Sequence, residues 1–138
     1  MNEDIMDTMI RMATEAVRNA YTIDDEIAAG ACVLADDGTL YSGCTINHSI
    51  EKLSLTAEVV AMSKAISDGK RNFDGIAIIA DVEGYYIPDE LSRQFLEEFK
   101  VPEVVLADFN GNVEVVKLDQ LSPYRQRRRK RSDSSTNF

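Results

Sequence analysis

Apolar residues recur at helical spacing through residues 4–20, as Ile5, Met6, Met9, Ile10, Ala13, Val17 and Ala20, with polar residues between them. That stripe predicts an amphipathic helix whose methionines pack into a core. Two strand-like runs follow at 28–35 and 39–46, and the Asp36-Asp37-Gly38 step between them is a strong hairpin signal. A second helix is expected up to Gly69, capped by Ser54 or Thr56, with Val59, Val60, Met62, Ala65 and Ile66 on its buried side. The nearly all-apolar run 75–80 fits a central strand covered on both faces. Pro88 suits the first turn of a third helix running to Phe99, with Asp89 and Glu90 favourable at its start. Two further strands are expected at 101–106 and 113–118, around a turn at Asn110-Gly111. The order α-β-β-α-β-α-β-β predicts one sheet with helices packed on it.

Composition adds little to this picture, but charge divides the chain. With 138 residues, 44% of them hydrophobic and 28% charged, a single domain can bury a sizeable core. No apolar stretch approaches the roughly 20 residues that span a bilayer, so no membrane partner is expected. The acidic start, Met1-Asn2-Glu3-Asp4, has no basic leader, and the two cysteines make no disulfide framework. A reducing, cytoplasmic compartment is the expectation. Residues 1–124 hold nine basic and twenty-three acidic residues, net −14. Residues 125–138 hold six basic residues and one acid, net +5, in a low-complexity composition that predicts disorder. The body should repel polyanions, whereas Arg127-Arg128-Arg129-Lys130-Arg131 suits an anionic partner, a nuclear-import signal or a solvated end. Ser132, directly after this run, is a candidate phosphorylation site.

Residues 20–99 carry a resemblance. Asp37-Gly38-Thr39-Leu40-Tyr41-Ser42-Gly43-Cys44, Thr56-Ala57-Glu58, the run Ile76-Ala77-Ile78-Ile79-Ala80-Asp81 and Pro88-Asp89-Glu90-Leu91-Ser92-Arg93-Gln94 follow one another as the motifs of the cytidine deaminase family do. The end, Leu118 to Leu121-Ser122-Pro123, resembles that family's last segment. The resemblance implies an α/β fold, a three-layer α/β/α domain with a mixed five-stranded sheet, over residues 1–124. It also implies a homo-oligomer, a dimer or tetramer.

Members of that family hold one zinc through a His or Cys at the first helix start and two Cys at the second. A Glu two residues after the first ligand moves protons during hydrolytic deamination of cytosine. The ligand positions here are Thr56, Asp89 and Ser92, and the Glu position is Glu58. Thr and Ser hydroxyls stay protonated at neutral pH and are poor zinc donors, and one carboxylate does not replace three strong ligands. The family's ribose-holding Asn and Glu correspond to Thr45 and Asn47, and an Arg that often follows the catalytic Glu is Val59.

These departures predict a catalytically silent relative with no zinc and no other cofactor. Such a protein would act as an assembly subunit, or would bind a nucleoside or small planar ligand through Thr45, Asn47 and Glu58. The alternative is an active enzyme, either a residual cytidine or deoxycytidine deaminase or altered chemistry on Glu58 and Asp89. If those two lie close, their like charges raise one pKa, and a magnesium or calcium ion bridging them stays open. Glu58 has a plain structural reading too, as a dipole-favoured acid at a helix start. His48, the only histidine, reads as a loop residue bonded to backbone, and Cys32 and Cys44 read as packing thiols on paired strands.

Overall fold

The computed structural model describes residues 1–121, and the basic segment at 125–138 lies outside them. Helix α1 (Glu3–Val17) starts at Asn2, whose Oδ1 accepts from the Ile5 amide at 2.8 Å. Glu3 and Asp4 sit in its first turn, where the helix dipole favours acids. Met9, Ala13 and Ala16 form its buried stripe. The helix stops at Val17, short of the apolar pattern. The amides of Arg18, Asn19 and Ala20 bond three residues back, a tightened 3₁₀-type ending.

Strands β1 (Ala29–Ala35) and β2 (Leu40–Cys44) form the expected hairpin. Gly38 takes φ +92°, a value that an L side chain strains to adopt, and Asp37 Oδ1 accepts from the Thr39 amide. Helix α2 (Ala57–Ser67), strand β3 (Phe73–Ala80), helix α3 (Glu90–Glu98) and strands β4 (Glu103–Ala107) and β5 (Val113–Lys117) complete the order. Single 3₁₀ turns occupy Glu51–Leu53 and Leu118–Leu121. Pro88 lies one residue outside the α3 cap rather than in its first turn, because the Asp89 side chain takes the capping role. No helix among the described residues is long and apolar enough to cross a membrane.

The five strands lie in the order β2-β1-β3-β4-β5; β3 and β4 are parallel and every other pair is antiparallel. The sheet is therefore mixed. Alternate residues separate two cores, as the period-2 geometry of a strand requires. Ala31, Val33, Ile76, Ile78 and Val104 pack under α2 and α3, with Ala57, Ala61, Met62 and Leu96. Cys32, Leu34, Ala77, Ile79 and Val105 pack under α1, with Met9 and Ala13. These are three layers, α/β/α, and β1 is buried along its whole length.

Two glycines set how closely the helices approach. A Cβ at Gly30 would stand 1.9 Å from the Ala13 carbonyl oxygen of α1. One at Gly43 would stand 2.4 Å from the Ala61 amide nitrogen of α2. Each helix therefore rests against bare backbone at these points.

The topology also places the two helix starts together. Strands β2 and β3 both run antiparallel to β1, so they run in the same direction as each other. Gly30 is paired with Cys44 on one side and Ile79 on the other, so both strands finish at the same edge of the sheet. Helix α2 follows β2 and α3 follows β3, so both begin at that edge.

Candidate functional site

The corner where α2 and α3 begin is built from their caps. Thr56 caps α2, its Oγ1 accepting from the Val59 amide at 3.3 Å. Asp89 caps α3, its Oδ1 accepting from the Ser92 amide at 2.8 Å. The Thr56 and Ser92 hydroxyls share a hydrogen bond of 2.8 Å across the two helices. Pro88 is buried beside them, and its carbonyl accepts from Arg93 Nη1 at 3.3 Å; the Arg93 side chain is wholly buried.

Glu58, in the first turn of α2, is fully buried, and neither of its carboxylate oxygens has a hydrogen-bond partner of good geometry. Burial pushes its pKa up to about 7, and the charge of exposed Asp89 adds to the rise. Its own amide and the nearby Ser92 hydroxyl offset part of this. An acid poised near neutrality can both take and give a proton, which is the property acid–base work requires. Tyr86 joins the same corner. Burial holds its hydroxyl protonated, and the charges of Glu58 and Asp89 strengthen that effect.

The structure thus brings Thr56, Glu58, Asp89 and Ser92 together, and adds Tyr86. Nothing in the motif spacing singles out Tyr86; an aromatic pair two residues ahead of Pro88 was the available signal. Val59 is half-buried on α2. Thr45 and Asn47 lie on the chain that leaves β2, which bridges back to Leu55 through Ile46. Their acceptor atoms face inward along the chain. Thr45 Oγ1 accepts from the Ala29 amide at 3.0 Å, and Asn47 Oδ1 accepts from the Ile23 amide at 3.0 Å. Both side chains therefore fasten residues 21–29 to the end of β2. His48 is exposed, with Nδ1 accepting from the Ile50 amide. Cys32 and Cys44 sit on β1 and β2, and burial pushes the Cys32 thiol up to about 12.

Two surface clefts lie away from this corner. One of about 270 Å³ borders the β2 edge between Met12, Ser42 and Lys64, and one of about 310 Å³ lies beside Lys100 and Lys117. Neither is lined by a buried polar group that lacks a partner, so Glu58 is the stronger sign of chemistry.

Residues 3–108 match the family model described as the cytidine and deoxycytidylate deaminase zinc-binding region. The chain belongs to that deaminase family. A cytidine deaminase of Sporosarcina psychrophila is 36% identical over 121 residues, covering 86% of this chain and 88% of that protein. A blasticidin-S deaminase of Bacillus cereus is 23% identical over 128 residues, covering 87% of this chain and 91% of that protein. The crystal structure of cytidine deaminase from Burkholderia pseudomallei superposes with a TM-score of 0.80 at 29% identity, covering 88% of this chain and 96% of that one.

The deaminase family model is a zinc-binding one, and the donors at this corner do not fit that ion. Two of the three are neutral hydroxyls bonded to each other, and Oδ1 of the third, Asp89, accepts from a backbone amide. Among the described residues no three His, Cys, Asp or Glu are grouped to hold a metal.

Proposed function

We propose that this deaminase-family member binds a nucleoside or similar planar ligand, or serves as an assembly subunit, and does not carry out zinc-dependent hydrolysis of cytidine. The observation that carries the reading is Glu58, wholly buried between two helix starts with no hydrogen-bond partner of good geometry on either oxygen. A buried acceptor of this kind is costly to leave empty, and a ring N–H or amino group would satisfy it. Near neutral pH Glu58 accepts when ionised and donates when protonated, so it can match either form of a heterocycle edge. Thr45 and Asn47, the other two residues of this reading, hold residues 21–29 against the end of β2 through the Ala29 and Ile23 amides.

The same reading takes residues 1–124 as the deaminase-like domain and 125–138 as an electrostatic arm. It includes a homo-oligomer, supported by exposed Tyr21, Ile46 and Leu55, which backbone bridges hold side by side.

The second reading is an active enzyme. The 36% identity to a protein named cytidine deaminase favours it. Metal analysis of the purified protein beside an absorbance assay with cytidine and deoxycytidine decides between the two. Absence of turnover, with a nucleoside raising the melting temperature of the protein but not of Glu58→Ala, supports the binding reading. Stoichiometric zinc with turnover abolished by Glu58→Gln overturns it.

A further inference from the structure

Helices α2 and α3 rest on the same face of the sheet but touch each other only lightly. One polar link between them is the Thr56–Ser92 hydrogen bond, between residues 36 apart in the chain. Each hydroxyl belongs to a longer chain of bonds. The Val59 amide donates to Thr56, Thr56 and Ser92 share a proton, and the Ser92 amide donates to Asp89. Three side chains on two helices are thereby tied into one string that runs from one helix cap to the other.

We propose that this string takes the place of a metal ion as the link between the two helix starts, so that the corner holds together with no ion. The spacing is the main argument. Two ligand atoms on a tetrahedral zinc, at bond lengths near 2.0–2.3 Å, stand about 3.3 to 3.8 Å apart. The Thr56 and Ser92 oxygens are 2.8 Å apart, the separation of a direct O–H···O bond. The chemistry agrees with the spacing. A hydroxyl pair needs no deprotonation to bond, and Thr56 Oγ1 and Asp89 Oδ1 each already accept from a backbone amide. The hydroxyl–hydroxyl bond itself carries no formal charge.

The inference shares with the proposed function only the lack of a zinc ligand set. A nucleoside that fails to bind leaves it standing, and its own failure leaves ligand binding standing.

The test uses the full chain in a double-mutant cycle of Ser92→Ala, Thr56→Val and the pair, read by thermal melting. The cycle cancels the lost α2 cap and isolates the bond between the hydroxyls. The expected coupling is about 3 °C in Tm, from a net hydrogen-bond contribution near 1 kcal/mol. Thr56→Ser keeps the hydroxyl and should keep the coupling. Additive melts, with no coupling, overturn the proposal. The unmodified protein supplies a measurement that does not depend on any variant folding: its melt should be the same with and without EDTA, and with and without added zinc. A melt lowered by EDTA, or one zinc per chain surviving dialysis, also overturns it. Finally, the triple change Thr56→Cys, Asp89→Cys and Ser92→Cys should convert the corner to zinc binding with an EDTA-sensitive melt. Failure of that variant to take up zinc refutes the equivalence of the string and the ion.

Discussion

Replacing Glu58 with Gln tests the electrostatics of the corner in one step. The carboxyl is fully buried, and burial carries its pKa from 4.5 to about 7. Below the unfolded value both folded and unfolded chains hold the proton, and ionisation costs the fold nothing. As pH rises through the interval, the unfolded chain releases the proton while the fold retains it, so stability falls. Above about 7 both are ionised, and the loss levels off at about 3 kcal/mol. Gln has nearly the same shape as the protonated acid and does not titrate. Its extra N–H adds an offset that is the same at every pH, so the slope carries the information.

Thermal or urea melts of both proteins from about pH 4.5 to pH 8.5 should diverge as pH rises, with the variant gaining about 10 °C by the upper end. Parallel curves, or a wild-type protein that gains on the variant with rising pH, would refute the assignment of a desolvated acid at this position.

Other expectations follow from packing and capping. Gly43→Ala places a methyl 2.4 Å from the Ala61 nitrogen of α2, so the helix must move, and urea unfolding should show a loss of about 2 kcal/mol. Gly75→Ala makes a useful contrast, because its nearest neighbours are the movable Met1 side-chain tip at 2.7 Å; its midpoint should stay much closer to wild type. Thr45→Ala strips the Ala29 amide of its acceptor in a buried place and should cost about 1 to 3 kcal/mol by the same measurement, with a uniform loss of any ligand binding. Asn2→Ala removes the α1 cap and should lower stability by about 1 kcal/mol, with reduced helicity confined to the first turn by hydrogen exchange.

The element order was legible because the chain changes period cleanly, from the Met9–Ala13 stripe to the all-apolar run at 75–80. What periodicity could not supply was the endings. Apolar spacing continues to Ala20, yet α1 closes at Val17 because its last amides prefer bonds three residues back. The β4 run begins at Glu103 rather than at residue 101, since the Val101 amide closes α3 through Leu96 and Lys100 adopts φ 54°. At the site, Thr56, Glu58, Asp89 and Ser92 were legible through the resemblance of their two motifs to those of the deaminase family. Tyr86 and the hydroxyl pair were not, because their meeting depends on the β1–β3 register, which no local pattern records. Thr45 and Asn47 stood out only as counterparts of the family's ribose-holding Asn and Glu. That their oxygens turn toward the Ala29 and Ile23 amides depends on where residues 21–29 cross the end of β2.

The central place of β1 has a kinetic consequence. Its pairing with β2 is a local hairpin and can form early, but its pairing with β3 closes a long loop and bears most of the entropy cost of the topology. Thr56 and Ser92 can meet only after that closure has brought β3 into line. Substitutions at this corner should therefore alter the unfolding rate and leave the refolding rate nearly unchanged, whereas those in β1 should slow refolding. The corner at the two helix starts is then the part that assembles last, and its side chains can change while the route to the fold is kept.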